Sequence, residues 1–254
     1  TVDAVRIQKR WDYNLEELKN CLKSVSGDVV YPSDPNYLVL SQDINTDIDR
    51  FPAALLYAAN EYDIKIAIYC AKTYKIQIVA RSGGHSFEEY SLGGHDGALV
   101  VDLKKFSDLT IDTKTRTAVI GTGNRLGTIY YKLSQVRHVI PAGACPSVGI
   151  GGHSLGGGFG LYSRAFGLAS DNILSIKMVS ANGTTLTANP FSHPDLFFAL
   201  RGAGGGNYGI VTSITFRIHP YSENVTVFTY NWTSTAIAHK FIPAMVKFSA
   251  HGTD

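Results

Sequence analysis

Charge is what this sequence is short of. Only 17% of its 254 residues are Asp, Glu, Lys or Arg, against roughly 25% in an ordinary soluble domain. No Lys/Arg tract is longer than a pair and the formal net charge is +2, so nothing electrostatic points to a nucleic-acid partner. Long hydrophobic runs are missing as well. Each is broken by Gly, Lys or Tyr well before the roughly 18 residues that a membrane span needs, so no membrane partner is expected. Residues Thr1–Arg10 carry no apolar stretch of the kind that opens a signal peptide. Two common nucleotide signatures are also absent. Gly202–Gly206 is not followed by a long helix, and no acidic residue stands at the distance a Rossmann unit requires. Gly156-Gly157-Gly158 is not followed by Lys-Ser/Thr, which excludes a Walker motif. Cysteine is scarce, with three residues. They allow one disulfide and leave one over. Cys21 and Cys70 fall in helix-like segments, whereas Cys145 stands in a glycine-rich loop between Ala144 and Pro146.

What is present is apolar and rich in glycine: 44% hydrophobic residues and 25 glycines, enough chain to bury a sizeable core. Asn14 with Glu17 reads as a capping box that opens a helix through Leu15, Leu18, Cys21 and Leu22. Leu55–Tyr57 reads as a short strand. Asn60 with Asp63 repeats the cap before Ile64, Ala67, Ile68 and Ala71, and Ile76–Ala80 reads as a strand ending at Arg81-Ser82-Gly83-Gly84. A strand, helix, strand succession with a Gly-rich loop at its C-terminal end is the usual place for a ligand in an α/β layer. Further strands are predicted at Ala98–Leu103 and Ile210–Ile218. Hairpins are predicted at Leu109–Asp112 with Thr117–Gly121, and at Ile173–Val179 with Thr184–Thr187 across Asn182-Gly183. Helices are predicted at Leu126–Leu133 and, with Pro at the first turn, Pro194–Leu200. The sum is an α+β fold. After His219-Pro220 the character changes: a strand at Val225–Tyr230 and a helix at Ile237–Phe248 read as the opening of a second domain. Three N-x-S/T sequons start at Asn182, Asn224 and Asn231, which fits a secreted glycoprotein.

Glycine concentrates in three segments: Arg81–Ser86, Gly143–Gly160 and Arg201–Gly209. Such runs suit positive φ or a ligand pressed against the main chain, and successive exposed N–H groups make an anion cradle suited to a pyrophosphate. Interleaved Ile150, Leu155, Phe159 and Leu161 argue against plain linkers. Together, Arg-Ser-Gly-Gly-His-Ser at 81–86, Pro141-Ala-Gly-Ala-Cys145-Pro-Ser-Val-Gly-Ile-Gly-Gly-His153, Leu155–Gly158, Asp171-Asn172, Asp195-Leu196-Phe197 and Ala199–Gly209 resemble the berberine bridge enzyme-like flavoproteins. These belong to the wider vanillyl-alcohol-oxidase group with a PCMH-type FAD-binding domain, and the fungal oligosaccharide oxidases are closest in flavour. The resemblance runs from about Cys21 to Pro220.

It implies an FAD domain over 14–220, built of two α+β subdomains, and an incomplete substrate-binding domain over 221–254. His85 matches the family histidine bonded to the flavin 8α carbon, and Cys145 the cysteine bonded to flavin C6. Arg81, Ser82, Gly83, Gly84 and Ser86, with Val148, Gly149, Gly151, Gly152 and His153, are expected around the cofactor, and Gly209-Ile210 beside its adenine and ring system. Cys21 and Cys70 match the family's N-terminal disulfide. No metal is expected. The implied activity is oxidation of an alcohol or of a reducing-end sugar hydroxyl, with hydride passing to flavin N5 and then to dioxygen. Small residues at Val148-Gly149 favour dioxygen as acceptor. Phe87 departs from the tyrosine common after the His-Ser pair, which loosens the carbohydrate assignment. The competing readings are a dehydrogenase or oxidase of a secondary metabolite and a flavin-binding protein with little turnover. The catalytic base is expected beyond Asp254, and the protein is expected to be a secreted monomer.

Overall fold

The computed structural model describes residues 15–221 and 234–251, with 224, 226, 227, 229, 231 and 232 between them. The chain divides into two compact units, Thr1–Pro220 and Tyr221–Asp254.

The described part of the larger unit opens with helix α1 (Leu15–Cys21). The Asn14 end of its expected capping box lies outside the described residues. Strand β1 (Asp28–Val30), helix α2 (Tyr37–Leu40), strand β2 (Ala54–Tyr57), helix α3 (Glu61–Tyr74) and strands β3 (Ile78–Arg81) and β4 (Leu99–Asp102) follow. They form a four-stranded sheet of order β1-β2-β4-β3, in which β2, β4 and β3 run parallel and β1 is antiparallel. The two central strands are apolar almost throughout because both faces are covered. Leu56, Leu99 and Val101 join the cluster of Leu18, Ile64, Ala67 and Ala71, whereas Leu55 and Val100 join Tyr37 and Leu92.

Helix α3 starts where its cap predicts: the Asn60 side chain accepts from the N–H groups of Tyr62 and Asp63. Asp63 does not close a capping box. Its carboxylate accepts from the N–H groups of Ser26, Gly27 and Ala59 at 2.8–3.0 Å, binding the approach to β1 onto the helix. Lys75 then adopts the left-handed conformation (φ 57°) that ends α3, and the strand predicted from Ile76 therefore begins at Ile78. Cys21 and Cys70 form a disulfide between α1 and α3.

The second half of this unit contains β5 (Leu109–Asp112), β6 (Thr117–Gly121), α4 (Leu126–Ser134), β7 (His138–Val139), α5 (Ile150–Leu155) and α6 (Ser163–Phe166). It continues with β8 (Ile173–Ser180), β9 (Thr185–Ala188), α7 (Pro194–Ala199), β10 (Gly209–Arg217) and β11 (His219–Pro220). Strands β5-β6-β10-β8-β9 make an antiparallel sheet, and β7 pairs with β11. Both predicted hairpins form. The Asp112 carboxylate accepts from Lys114 N–H, and Gly183 takes φ 80° in the turn between β8 and β9. Helices α4 and α5 pack Leu126, Ile129, Leu133, Ile150 and Leu155 against Ile120, Ile176, Ile214 and Phe216. Val179 and Ile210 of this sheet belong instead to the core of the first, which joins the two halves. The architecture is mixed α+β with open sheets.

In the smaller unit, helix α8 (Thr235–His251) is longer than the predicted 237–248 and contains Pro243. The Trp232 and Phe241 rings lie 4.1 Å apart. Of the strand expected at 225–230, positions 225, 228 and 230 lie outside the described residues.

Candidate cofactor site

One cavity of about 920 Å³ collects residues from all three glycine-rich segments: 82–86, 149–153 and 203–207. Its volume is near the top of the 300–1,000 Å³ range usual for small-molecule and cofactor sites.

The first segment leaves β3 and is anchored at its root. The Arg81 Nε donates to Asp102 at 2.6 Å, Nη1 donates to the Leu40 carbonyl at 2.8 Å, and Nη2 donates to the Tyr57 hydroxyl at 3.2 Å. Asp43 stands 3.6 Å from the same guanidinium. Burial disfavours this charge, but the carboxylates around it hold the Arg81 pKa above its ordinary value. Arg81 was expected among the cofactor contacts. Its side chain is a buried cation that fixes the end of β3, because two carboxylates converge on it from elsewhere in the first layer. Beyond it, Gly84 takes φ +66°, and a Cβ there would strike Asp43 Oδ1 at 2.5 Å. The N–H groups of Gly83, Gly84 and His85 find no acceptor among the described residues.

The second segment meets the first backbone to backbone. A Cβ on Gly83 would stand 2.2 Å from Gly149 N, and one on Gly149 would stand 2.2 Å from Gly83 N. Ser82 bridges the pair, donating to the Thr122 carbonyl and accepting from Gly151 N–H at 3.3 Å. Part of the segment predicted as loop is helix α5, since Ile150 and Leu155 are buried in the core and the glycines between them let the helix approach the first loop. A Cβ on Gly152 or on Gly206 would meet nothing within 4 Å. The backbone is therefore bare toward the cavity at these positions.

His85 lines the cavity with its Nε2 2.8 Å from Ser147 Oγ. Burial, then the Arg125 guanidinium, lowers its pKa against the opposing pull of Asp43, so the neutral ring is favoured. His153 also lines the cavity and accepts from Gly143 N–H at Nε2, 2.9 Å away. Its neutral ring consequently carries the proton on Nδ1, and burial lowers its pKa.

Cys145 is exposed and unpaired. It stands two residues before Ser147, and its carbonyl accepts from Val148 N–H at 3.3 Å, while Val148 itself lines the cavity. Gly209 and Ile210, expected beside the flavin, open β10. A Cβ on Gly209 would stand 2.5 Å from Val179 O, and the Ile210 side chain is buried in the core. The neighbouring Val211 faces the cavity. Sequence reasoning missed Val211 and Thr122, which carry no local signal, and Ser147, whose place beside His85 depends on tertiary contact. Asn182, Asn224 and Asn231 are all exposed.

These features suit an extended cofactor with an anionic middle and a flat ring: free amides on one loop, bare glycine backbone on two others, and a neutral imidazole on the wall. The model of the family described as FAD binding domain matches residues 52–189. The chain belongs to this family. Among relatives, it is 37% identical to the xylooligosaccharide oxidase of Thermothelomyces thermophilus, over 92% of this chain and 48% of that protein. Among solved structures, Physcomitrella patens BBE-like 1 is 46% identical with a TM-score of 0.78, covering 80% of this chain and 44% of that one. The glucooligosaccharide oxidase of Acremonium strictum, described as carrying a 6-S-cysteinyl, 8α-N1-histidyl FAD, is 31% identical with a TM-score of 0.77 over 82% of this chain and 43% of that one. The chain thus spans less than half the length of each of these proteins. It is an FAD-binding chain similar to the flavin-holding parts of BBE-like proteins and oligosaccharide oxidases. Among the described residues no helix is long and apolar enough to cross a membrane.

Proposed function

We propose that this chain forms the flavin-holding part of an FAD-dependent oxidase that takes hydride from an alcohol or from the reducing-end hydroxyl of a sugar. The observation that carries this reading is the convergence of three glycine-rich segments on one cavity with the His85 ring on its wall. FAD bound there supplies the hydride acceptor. The chain supplies the groups that hold it. The free N–H groups of Gly83, Gly84 and His85 donate to the pyrophosphate region, helped by the bare backbone of Gly152 and Gly206, while Gly149 and Gly151 let the second loop close on the first. Ser82 holds the two loops together, Ser86 continues the first wall, and His153 offers its Nδ1–H to the cofactor. A ring nitrogen of His85 and the Cys145 sulfur bond the flavin at its 8α and C6 carbons, an arrangement named for the Acremonium strictum oxidase. Two such bonds hold the ring without a deep lid and leave its other face to a substrate as large as an oligosaccharide.

The half-buried Val148 on the cavity wall supports dioxygen as the acceptor, because a side chain of this size leaves a path to the ring. We further propose that residues 14–220 are the FAD domain and that 221–254 open the substrate-binding domain, which supplies the base. The Cys21–Cys70 disulfide and the three exposed sequons support a secreted, glycosylated monomer.

Acid-precipitated protein is expected to stay yellow and to release hydrogen peroxide, before precipitation, with cello-, chito-, malto- or xylo-oligosaccharides. Peptide mapping should put flavin on both His85 and Cys145. Complete release of the flavin on denaturation would overturn the two bonds. Reduction of an artificial acceptor without peroxide would replace the oxidase by a dehydrogenase.

A further inference from the structure

We infer that Ser147 is the positioning residue for flavin attachment: its hydroxyl occupies Nε2 of His85 and leaves Nδ1 as the nitrogen that bonds the cofactor. The inference rests on the proposed His85 bond and goes beyond it by naming the group that selects the bonding atom. Ser147 Oγ lies 2.8 Å from Nε2, and no hydrogen bond occupies Nδ1 among the described residues. Ser147 is itself held in place, since its carbonyl accepts from Arg125 Nη1 at 3.0 Å and the following Val148 is tied back to Cys145. The histidine loop and the cysteine loop, 62 residues apart in sequence, are therefore joined at the atom pair that decides the chemistry.

A neutral imidazole has one N–H and one lone pair, and the partner of one nitrogen sets the state of the other. With Ser147 Oγ accepting from Nε2–H, the lone pair is on Nδ1 and free to attack. Attachment replaces one C–H of the flavin 8α-methyl group by a C–N bond. The C–H proton leaves, its electron pair stays in the ring system, and the imidazole gives up the Nε2 proton. Dioxygen takes the electron pair and two protons, giving one hydrogen peroxide per bond formed. After this step Nε2 has a lone pair and no proton. A hydroxyl is suited to both stages, because it accepts before attachment and donates afterwards. Burial and the nearby Arg125 charge favour the neutral ring that the attack requires.

The test uses Cys145→Ala as the parent, so that His85 is the sole tether, and follows the rate at which added FAD becomes resistant to acid precipitation. Ser147→Ala in that parent is expected to slow attachment about tenfold, the effect of losing one ordinary hydrogen bond at the reacting ring. Ser147→Thr, which restores the hydroxyl, is expected to recover the parent rate. In the flavin-free parent, the ¹⁵N shifts of the His85 ring should report Nε2–H. This readout does not depend on how well Ser147→Ala folds. An unchanged rate in Ser147→Ala, a ring protonated on Nδ1, or a peptide bonded through Nε2 would overturn the role of Ser147 while leaving the His85 bond standing. A parent that loses all flavin on precipitation would overturn both.

Discussion

His85 lines the cavity on one loop and Cys145 stands three residues before the cavity-lining Val148 on another, and the two loops are built on different principles. The histidine loop is fixed from beneath by charge. Arg81 is buried between Asp102 and Asp43 at the end of a parallel strand, in a layer that a disulfide staples together. The cysteine loop is fixed by backbone. It carries no buried ion pair among the described residues, its cysteine is exposed, and Arg125, which donates to the Ser147 carbonyl, is also exposed. The difference teaches where rigidity has to be supplied. A ring nitrogen must be aimed, so its loop is anchored. A thiol on an exposed turn needs only to be within reach.

The largest effect should come from removing the anchor. Arg81→Met leaves two buried carboxylates without their cation and is expected to cost about 3–5 kcal/mol of stability, measured by urea denaturation. Arg125→Met, on the exposed side, should stay within about 0.5 kcal/mol. Equal losses from the two substitutions would abolish the contrast between the loops.

A smaller loss is expected where the loops touch. Gly149→Ala puts a methyl group 2.2 Å from Gly83 N and 2.4 Å from Ser82 Oγ. Neither atom is the free end of a long side chain, so the loops must separate. The expected cost is about 1–3 kcal/mol, with weaker FAD binding by fluorescence titration. Unchanged FAD affinity would mean that the loops bind the cofactor independently. Asn60→Ala should cost less still, about 1 kcal/mol for a lost helix cap, and should leave flavin retention unchanged. It weakens the histidine layer at a residue that does not line the cavity, and thereby separates general stability from anchoring of the loop.

Much of this was legible in the sequence where the signal is local. The β5–β6 hairpin has the predicted bounds because alternation and an Asp-led turn sit within the thirteen residues from Leu109 to Gly121. Helix α7 starts at its proline, and α3 at its asparagine cap. The glycine density located the cavity, and the family resemblance named its contents. What the sequence hid is long-range. The cluster that buries Arg81 was invisible because its partners Asp43 and Asp102 are distant in the chain. Ile210 lies in the strand predicted for it, but the packing that buries it comes from the other sheet. Ser147 is an ordinary serine until the fold brings His85 to it. Helix α5 was hidden for another reason: its glycines are poor helix formers, and one of them, Gly151, lies where a side chain would press on Ser82 of the first loop.

The smallest effect at acid pH, growing toward neutrality, concerns a carboxyl under the histidine loop. Glu89 is completely buried and holds a left-handed backbone conformation at φ 56°. Burial, then the charge of Asp43, pushes its pKa up to about 7 against the opposing pull of Arg50 and Arg81. The folded state therefore keeps its proton over a range in which the unfolded chain, with an ordinary value of 4.5, has lost it. Stability falls wherever the folded state binds more protons than the unfolded one as pH rises. Glu89 should thus cost nothing below about pH 4.5, progressively more up to about pH 7, and a constant amount above that. Glu89→Gln keeps the shape of the protonated acid and cannot ionise. Its Tm should match that of the unmodified protein at pH 4.5 and exceed it at pH 8. Parallel Tm curves across that window would show that Glu89 titrates normally. The histidine loop would then rest on the Arg81 cluster alone, without a neutral acid beside it.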